Sequence, residues 1–202
     1  MREVMPTRSA AMELADEAKL MRQGYGFLDE KRMLLAGEIL RQLRAYQQRA
    51  QELTAATASA AEALARAVER HGLDHLQIYP VAAAAPVPAP ERSLFLGLVM
   101  LTARQPETAD AEAPLAIDPS PEAKACRAAF TRLLWLSADI ALRAGNLMRL
   151  AREYRRTERR AKALEKVLLP EVEEALKSVN EQLDTMDREE LIRTRWAGRA
   201  GK

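Results

Sequence analysis

Apolar residues recur at every third or fourth position over most of the chain. One track runs through Leu14, Ala18, Met21, Tyr25, Leu28, Arg32, Leu35, Ile39, Leu43, Tyr46, Ala50, Leu53, Thr57, Ala60, Leu64 and Val68, and only Arg32 and Thr57 interrupt it. Such spacing gathers these residues on one face of a helix. The mean step of about 3.6 predicts a nearly straight helix rather than a strict heptad, with the additional four-residue step at Leu35–Ile39–Leu43. A second track runs through Leu147, Leu150, Tyr154, Thr157, Ala161, Leu164, Leu168, Val172, Leu176, Val179, Leu183 and Met186, with Thr157 its one polar member. Three successive four-residue steps, Leu164 to Leu176, surround Pro170. Proline lacks the backbone donor and collides with the carbonyl four residues earlier, so a kink or local unwinding is expected there. The track resumes in phase, so the helix is expected to continue.

Proline distribution separates the two tracks. Of ten prolines, eight fall between Pro80 and Pro121. The chain therefore reads as an N-terminal helical segment (1–71), a proline-punctuated connector (72–121) and a C-terminal helical segment (122–202), with helices over about 8–71 and 122–197. At 1.5 Å per residue these would be rods of roughly 90 and 110 Å, each with one narrow apolar stripe in need of a partner. The expected fold is all-α. The two segments would fold back on each other as a long antiparallel two-helix coiled coil, with a small irregular or β-hairpin-like connector at the far end. The strongest apolar run, Leu94–Leu101, reads as a buried strand or short helix; it falls well short of the roughly 20 residues that span a membrane.

Composition narrows the class. The 202 residues carry a net charge of only +2, so no global field favours nucleic acid or an anionic membrane. Aromatics are 4% of the chain, and a single cysteine, Cys126, excludes an internal disulfide framework. The N-terminus lacks the apolar core of a secretory signal, and a lone thiol fits a reducing cytoplasm. Charge is nevertheless segregated. Residues 143–166 hold nine bases against three acids, and residues 171–190 hold eight acids against two bases. A basic block of this kind can be a solvated face with pairs such as Glu158–Lys162, a docking surface for acidic protein, or a nucleic-acid contact. The scarcity of aromatics to stack bases disfavours the last.

Site chemistry is sparse. His71 and His75 lie four apart around Asp74, but Gly72 ends the helix there and no third strong ligand is near. Gly24-Tyr25-Gly26 lacks the lysine and hydroxyl residue of a phosphate loop. Ser9 and Ser137 have no neighbouring histidine, and Cys126 sits as an ordinary helix thiol. No catalytic residue, cofactor site or metal site is expected.

Three stretches carry a resemblance. Pro6-Thr7-Arg8, followed by Leu20, Gly24, Leu28 and Lys31-Arg32, is similar to the opening of the D subunit of V-type and A-type rotary ATPases, with Asp29 and Met33 departing from its pattern. Arg159-Arg160-Ala161-Lys162-Ala163-Leu164-Glu165 through Pro170 resembles that family's Arg-Arg…Ala-Leu-Glu…Pro signature. Leu183-Asp184-Thr185-Met186-Asp187-Arg188-Glu189-Glu190 resembles its acidic ending.

The resemblance implies a central rotor stalk without catalytic activity of its own. Its paired helices would enter a catalytic head of A and B subunits. The small F subunit would bind alongside, and the opposite end would seat on the ring-capping C/d subunit. Torque would pass between ATP turnover and a membrane ring that translocates protons or sodium ions. The protein would belong to a peripheral complex at the cytoplasmic face, with no nucleic acid bound and no direct membrane insertion. Candidate interaction residues are Pro6, Thr7, Arg8, Lys31, Arg32, Arg159, Arg160, Leu164, Glu165 and Pro170, with Arg193 and Arg195 beyond the acidic block. The alternative is a coiled-coil scaffold or adaptor with no motor role; it offers no reason for a proline in mid-helix.

Overall fold

The computed structural model describes residues 5–77, 90–103 and 119–200. Helix α1 spans Arg8–Gln77, strands β1 and β2 span Pro90–Phe95 and Leu98–Ala103, and helix α2 spans Pro121–Ala163. A π-helical turn, Leu164–Leu168, leads directly into helix α3, Leu169–Ala200. The protein is thus an antiparallel helical coiled coil with a small β-hairpin in its connector. The remainder of the expected connector, 78–89 and 104–118, lies outside the described residues.

Local chemistry sets the helix ends. The Thr7 hydroxyl accepts the Ala10 N–H at 3.1 Å, which caps α1. Ser120 does the same for α2, accepting the Ala123 N–H at 3.1 Å, and Pro121 follows in the first helical position, where a missing N–H costs nothing. The expected exit of α1 is a break rather than an end. Gly72 leaves helical geometry (φ 74°, ψ 159°), a conformation open to glycine, and helical turns resume to Gln77.

The buried face of α1 follows a heptad and corrects the straight-helix expectation. Leu14, Ala18, Leu35, Gln42, Ala60, Ala63 and Ala67 are the buried positions, and half-buried Met21, Tyr25, Leu28, Arg32, Ile39, Tyr46, Arg49, Leu53 and Ala56 fill the gaps. Steps of four and three alternate throughout. Gln42 holds the position expected for Leu43, which is exposed, and Ala56 and Ala63 replace Thr57 and Leu64. Alanine at neighbouring positions makes both phases look apolar in sequence. Gln42 is accommodated because its Nε2 donates to Glu38 Oε1 at 2.9 Å on its own helix.

Pro170 has the effect its chemistry demands, displaced toward the N-terminus. The Leu169 N–H bonds to the Leu164 carbonyl, a π-type bond, so the backbone widens ahead of the proline ring. The extra residue shifts the stripe. Leu169 packs inward where Leu168 was expected, and Leu168 is exposed, so the step from Leu164 is five. Beyond it Val172, Leu176, Val179 and Leu183 restore the phase. Met186 is exposed, so the buried stripe ends at Leu183.

Two compact units divide the chain, Met1–Leu35 with Glu153–Lys202, and Ala36–Arg152. In the first, Leu14 and Ala18 of α1 pack on Val172 and Val179 of α3. In the second, the core mixes small apolar residues with a satisfied charge. Asp139, 3% exposed, accepts from Arg143 Nε at 2.9 Å and lies 3.3 Å from Arg49 Nε. The Arg49 guanidinium also sits 5.5 Å from the Trp135 ring. The Leu94–Leu101 run, expected as one strand or helix, is split at Leu96-Gly97. Both residues have positive φ (49° and 83°), which closes the two-residue hairpin turn, with Phe95 opposite Leu98.

Candidate functional site

Ion pairs between α1 and the C-terminal half fix the direction of packing in the first unit. Arg8 pairs with Asp187 at 3.3 Å, Arg22 with Glu173, and Lys31 with Glu153 at 2.6 Å. Partner numbers fall as α1 advances, the signature of antiparallel helices. The first two pairs are exposed and contribute little to stability. Lys31–Glu153 is the most sheltered of the three, with side chains 21% and 17% exposed.

The π turn meets α1 around Tyr25. The Glu165 carboxylate lies near the Tyr25 phenol, and its charge, with desolvation and Asp29 behind it, raises the phenol above its usual 10.0. Arg32 acts in the opposite direction while paired to Asp29. Leu164 lies against Gly24, where an added Cβ would stand 3.9 Å from the leucine methyl, an ordinary contact. Neither Gly24 nor Gly26 is therefore required by a close approach. On α2, the Glu158 carboxylate accepts from Lys162 at 2.8 Å, which holds its pKa below the ordinary value; Arg32 contributes less.

Gly24-Tyr25 and the stretch from Arg159 to Pro170 thus come together within one unit, while Lys31-Arg32 stands farther along, beside Glu153 and Glu158. Tyr25–Glu165, Gly24–Leu164 and the reach of Arg32 toward Glu158 join them. The other candidate residues stand apart. Pro6 is half-buried ahead of α1, Thr7 is its cap, and Arg8 reaches Asp187. Arg159, Arg160 and Pro170 face solvent. Arg193 is exposed, 3.9 Å from Glu189, and Arg195 is exposed on the same helix. Arg155, Arg156, Arg159 and Arg160 repeat at helical spacing as a solvent-facing basic strip.

Among the described residues no group of three His, Cys, Asp or Glu side chains is set to hold a metal. His71 Nε2 instead lies 2.5 Å from the Ser120 hydroxyl. Burial pushes the Cys126 thiol up, away from the reactive thiolate. Among the described residues no helix is long and apolar enough to cross a membrane.

The family model for the D subunit of ATP synthase matches residues 10–199, nearly the whole chain. The chain belongs to the ATP synthase D-subunit family. It is 28% identical to the V-type ATP synthase D subunit of Thermotoga neapolitana over 193 residues, which cover 94% of both chains. It is 27% identical to the A-type ATP synthase D subunit of Thermococcus gammatolerans over 199 residues, covering 94% of this chain and 91% of the relative. A shorter stretch of 77 residues is 34% identical to the A-type ATP synthase D subunit of Thermococcus sibiricus.

In this member of the D-subunit family, sequence reasoning missed several partners. Glu153 belongs to no motif, yet it receives Lys31. Asp29, read as a departure from the family pattern, is the partner of Arg32. Asn146, 1% exposed, is hidden beside its apolar neighbour Leu147; a polar residue four positions before the stripe member Leu150 was the available signal.

The Tyr25–Glu165 contact predicts a titration. Because the folded pKa is raised, the stabilising contribution is fully present below pH 10, the ordinary phenol value, and is lost as pH rises through the folded value. No effect is expected at neutral pH. Ultraviolet titration, with Tyr25→Phe subtracted, should place Tyr25 above the ordinary phenol value of 10.0. Glu165→Gln should bring it back toward that value. Identical curves for the two glutamate states would remove the contact from the site.

Proposed function

We propose that the chain is the central rotor stalk of a V/A-type ATP synthase, passing torque between the catalytic head and the membrane ion-translocating ring without catalysing a step itself. The observation that carries this reading is the antiparallel pair of helices in a chain matched along nearly its full length by the D-subunit family. Pairing brings the start of α1 beside Asp187, and α3 runs on past it to Ala200. Leu191, Ile192 and Trp196 on that extension are exposed, as are Met12, Leu20 and Phe27 on the outward face of α1. Large apolar groups on an outer surface mark positions that partners cover. In this reading the A and B subunits surround the two chain ends. The F subunit and the ring-capping subunit hold other parts of the stalk, and the basic strip at Arg155–Arg160 meets acidic protein. The complex sits at the cytoplasmic face of the membrane.

Coupling by a shaft requires a different surface toward each catalytic site, since only differential interaction shifts a site between states. Segregated basic and acidic blocks provide such a surface. The test is ATP-driven ion transport by complexes assembled with and without this chain; pumping in its absence would rule out the stalk role. Arg193→Glu with Arg195→Glu should weaken pumping more than ATP hydrolysis. Thermal stability should stay within about 0.5 kcal/mol, because both side chains are exposed. Normal pumping by this variant would remove the arginines from the coupling surface.

A further inference from the structure

Asn146 closes one edge of the hairpin. Its Oδ1 accepts the Leu101 N–H at 2.9 Å, and its Nδ2 donates to the Leu101 carbonyl at 2.7 Å. A carboxamide that both accepts and donates at one residue presents the groups a neighbouring strand would present. In an antiparallel ladder, residues alternate between exchanging bonds with their partner and turning those groups outward. Leu101 turns both outward, to Asn146, so its partner Arg92 also turns outward on the opposite edge. The alternation gives Leu94, opposite Val99, the same orientation. Ser93 and Phe95 bond inward to Met100 and Leu98.

The β1 edge differs from the β2 edge. Every residue from Pro90 to Leu94 is exposed. Edge strands are usually guarded by lysine, by a bulge or by proline along their length. Here Pro90 stands only at the start and no bulge interrupts the register. Arg92 and Leu94 share one face of the strand with Val99; Leu94 is 77% and Val99 43% exposed. The edge thus combines outward backbone groups at two alternate residues, one apolar side chain and one cation.

We propose that β1 accepts an extended segment of a partner protein as a third antiparallel strand, with an apolar residue facing Leu94 and an acidic residue facing Arg92. A helix satisfies its own backbone and cannot use the outward groups of Arg92 and Leu94; an extended segment can, at the same two-residue repeat. The acid answers the arginine charge. Pro90, without an N–H, limits the ladder at its far end. Only the identity of the partner, another component of the assembly, rests on the rotor-stalk reading.

Amide exchange at Leu94 tests the proposal. The probes are the complex assembled from the purified head and stalk subunits encoded with this chain, and the capped peptide Thr-Val-Thr-Glu-Thr, whose antiparallel register sets valine against Leu94 and glutamate against Arg92. The Leu94 amide should exchange rapidly in the isolated chain and about tenfold more slowly in the complex, with Ser93 as the reference for an intact hairpin. Leu94→Pro removes the leucine side chain and the outward donor together, a loss of N–H that edge strands tolerate, whereas Leu94→Ala removes the side chain and keeps the donor. Proline should weaken binding about tenfold and alanine clearly less. An assembled complex that leaves Leu94 exchanging as in the isolated chain overturns the proposal, whatever the peptide does. Equal losses for the two variants also overturn it, because side-chain contact alone would then suffice. If no complex assembles, the rotor-stalk reading fails and the peptide decides: slowed exchange supports the accepting edge, unchanged exchange ends it. Slowing that follows the chain's own concentration, with a doubled mass, assigns the edge to pairing between copies and excludes the partner strand.

Discussion

Val179→Asp is expected to unfold the pairing of α1 with α3 at temperatures where the native chain is intact. Val179 is 3% exposed and belongs to the cluster formed with Leu14, Ala18 and Val172. The substitution removes apolar burial worth about 1.5 kcal/mol or more. It also places a carboxylate where no base is paired to receive it, and an uncompensated buried charge costs on the order of 3 kcal/mol before the helices separate. The neighbouring exposed site supplies the control, since Asn180→Asp adds the same charge on the solvent side. That variant should stay within about 0.5 kcal/mol of the parent. Circular dichroism melts of the two variants decide the matter. Equal melting temperatures would mean that the stripe through Val179 does not hold these helices together.

Helix identity was legible in the sequence because the strongest signals were long. Absence of proline and scarcity of glycine over sixty residues, together with three-and-four spacing, leave little else for the chain to be. Phase was harder to read. Alanine is compatible with the core and with the surface, so Ala56, Ala63 and Ala67 compete with Leu64 and Val68 for the inward face, and the sequence track drifts to the larger side chains. Close packing of two helices prefers the smaller ones. Pro170 was legible as a disturbance, but its consequence depends on which carbonyl the preceding turn uses, and the π turn moves the inward residue from Leu168 to Leu169.

Individual partners of the candidate site were less legible than its stretches. Gly24 through Arg32 and Arg159 through Pro170 stand out separately in the sequence, and the antiparallel register sets Gly24-Tyr25 beside Leu164-Glu165 and Lys31-Arg32 beside Glu153 and Glu158. Which carboxylate meets which base follows from that register to within a helical turn, and the sequence does not fix it so closely. Glu153 was therefore invisible as a partner, whereas Asp29 meets Arg32 three residues on along its own helix, a spacing the sequence does contain. Arg193 and Arg195 carry no local geometry that marks them, so their role depends on what surrounds α3.

Asn146→Ala should release the hairpin while leaving the helices folded. The carboxamide satisfies two backbone groups of Leu101 and accepts from Arg149 Nη2 at 2.6 Å. Alanine leaves all three without this partner at a site where Asn146 is 1% exposed. Each buried group left unmatched costs about 1–3 kcal/mol, and a two-stranded hairpin has little stability of its own to absorb the loss. The Leu101 amide should therefore exchange at least about thirtyfold faster, since each 1.4 kcal/mol is tenfold, while amides within α1 and α3 remain protected. Asn146→Asp separates the two halves of the clamp. An ionised carboxylate can still accept the Leu101 N–H but faces the Leu101 carbonyl without a proton to give. Once protonated, it regains a donor. Exchange at Leu101, corrected for its intrinsic pH dependence, should be fast at neutral pH and slow again as the introduced carboxyl titrates. If the alanine variant protects Leu101 as well as the parent does, apolar burial such as that of Met100 holds the hairpin, and the asparagine is only a passenger at its edge.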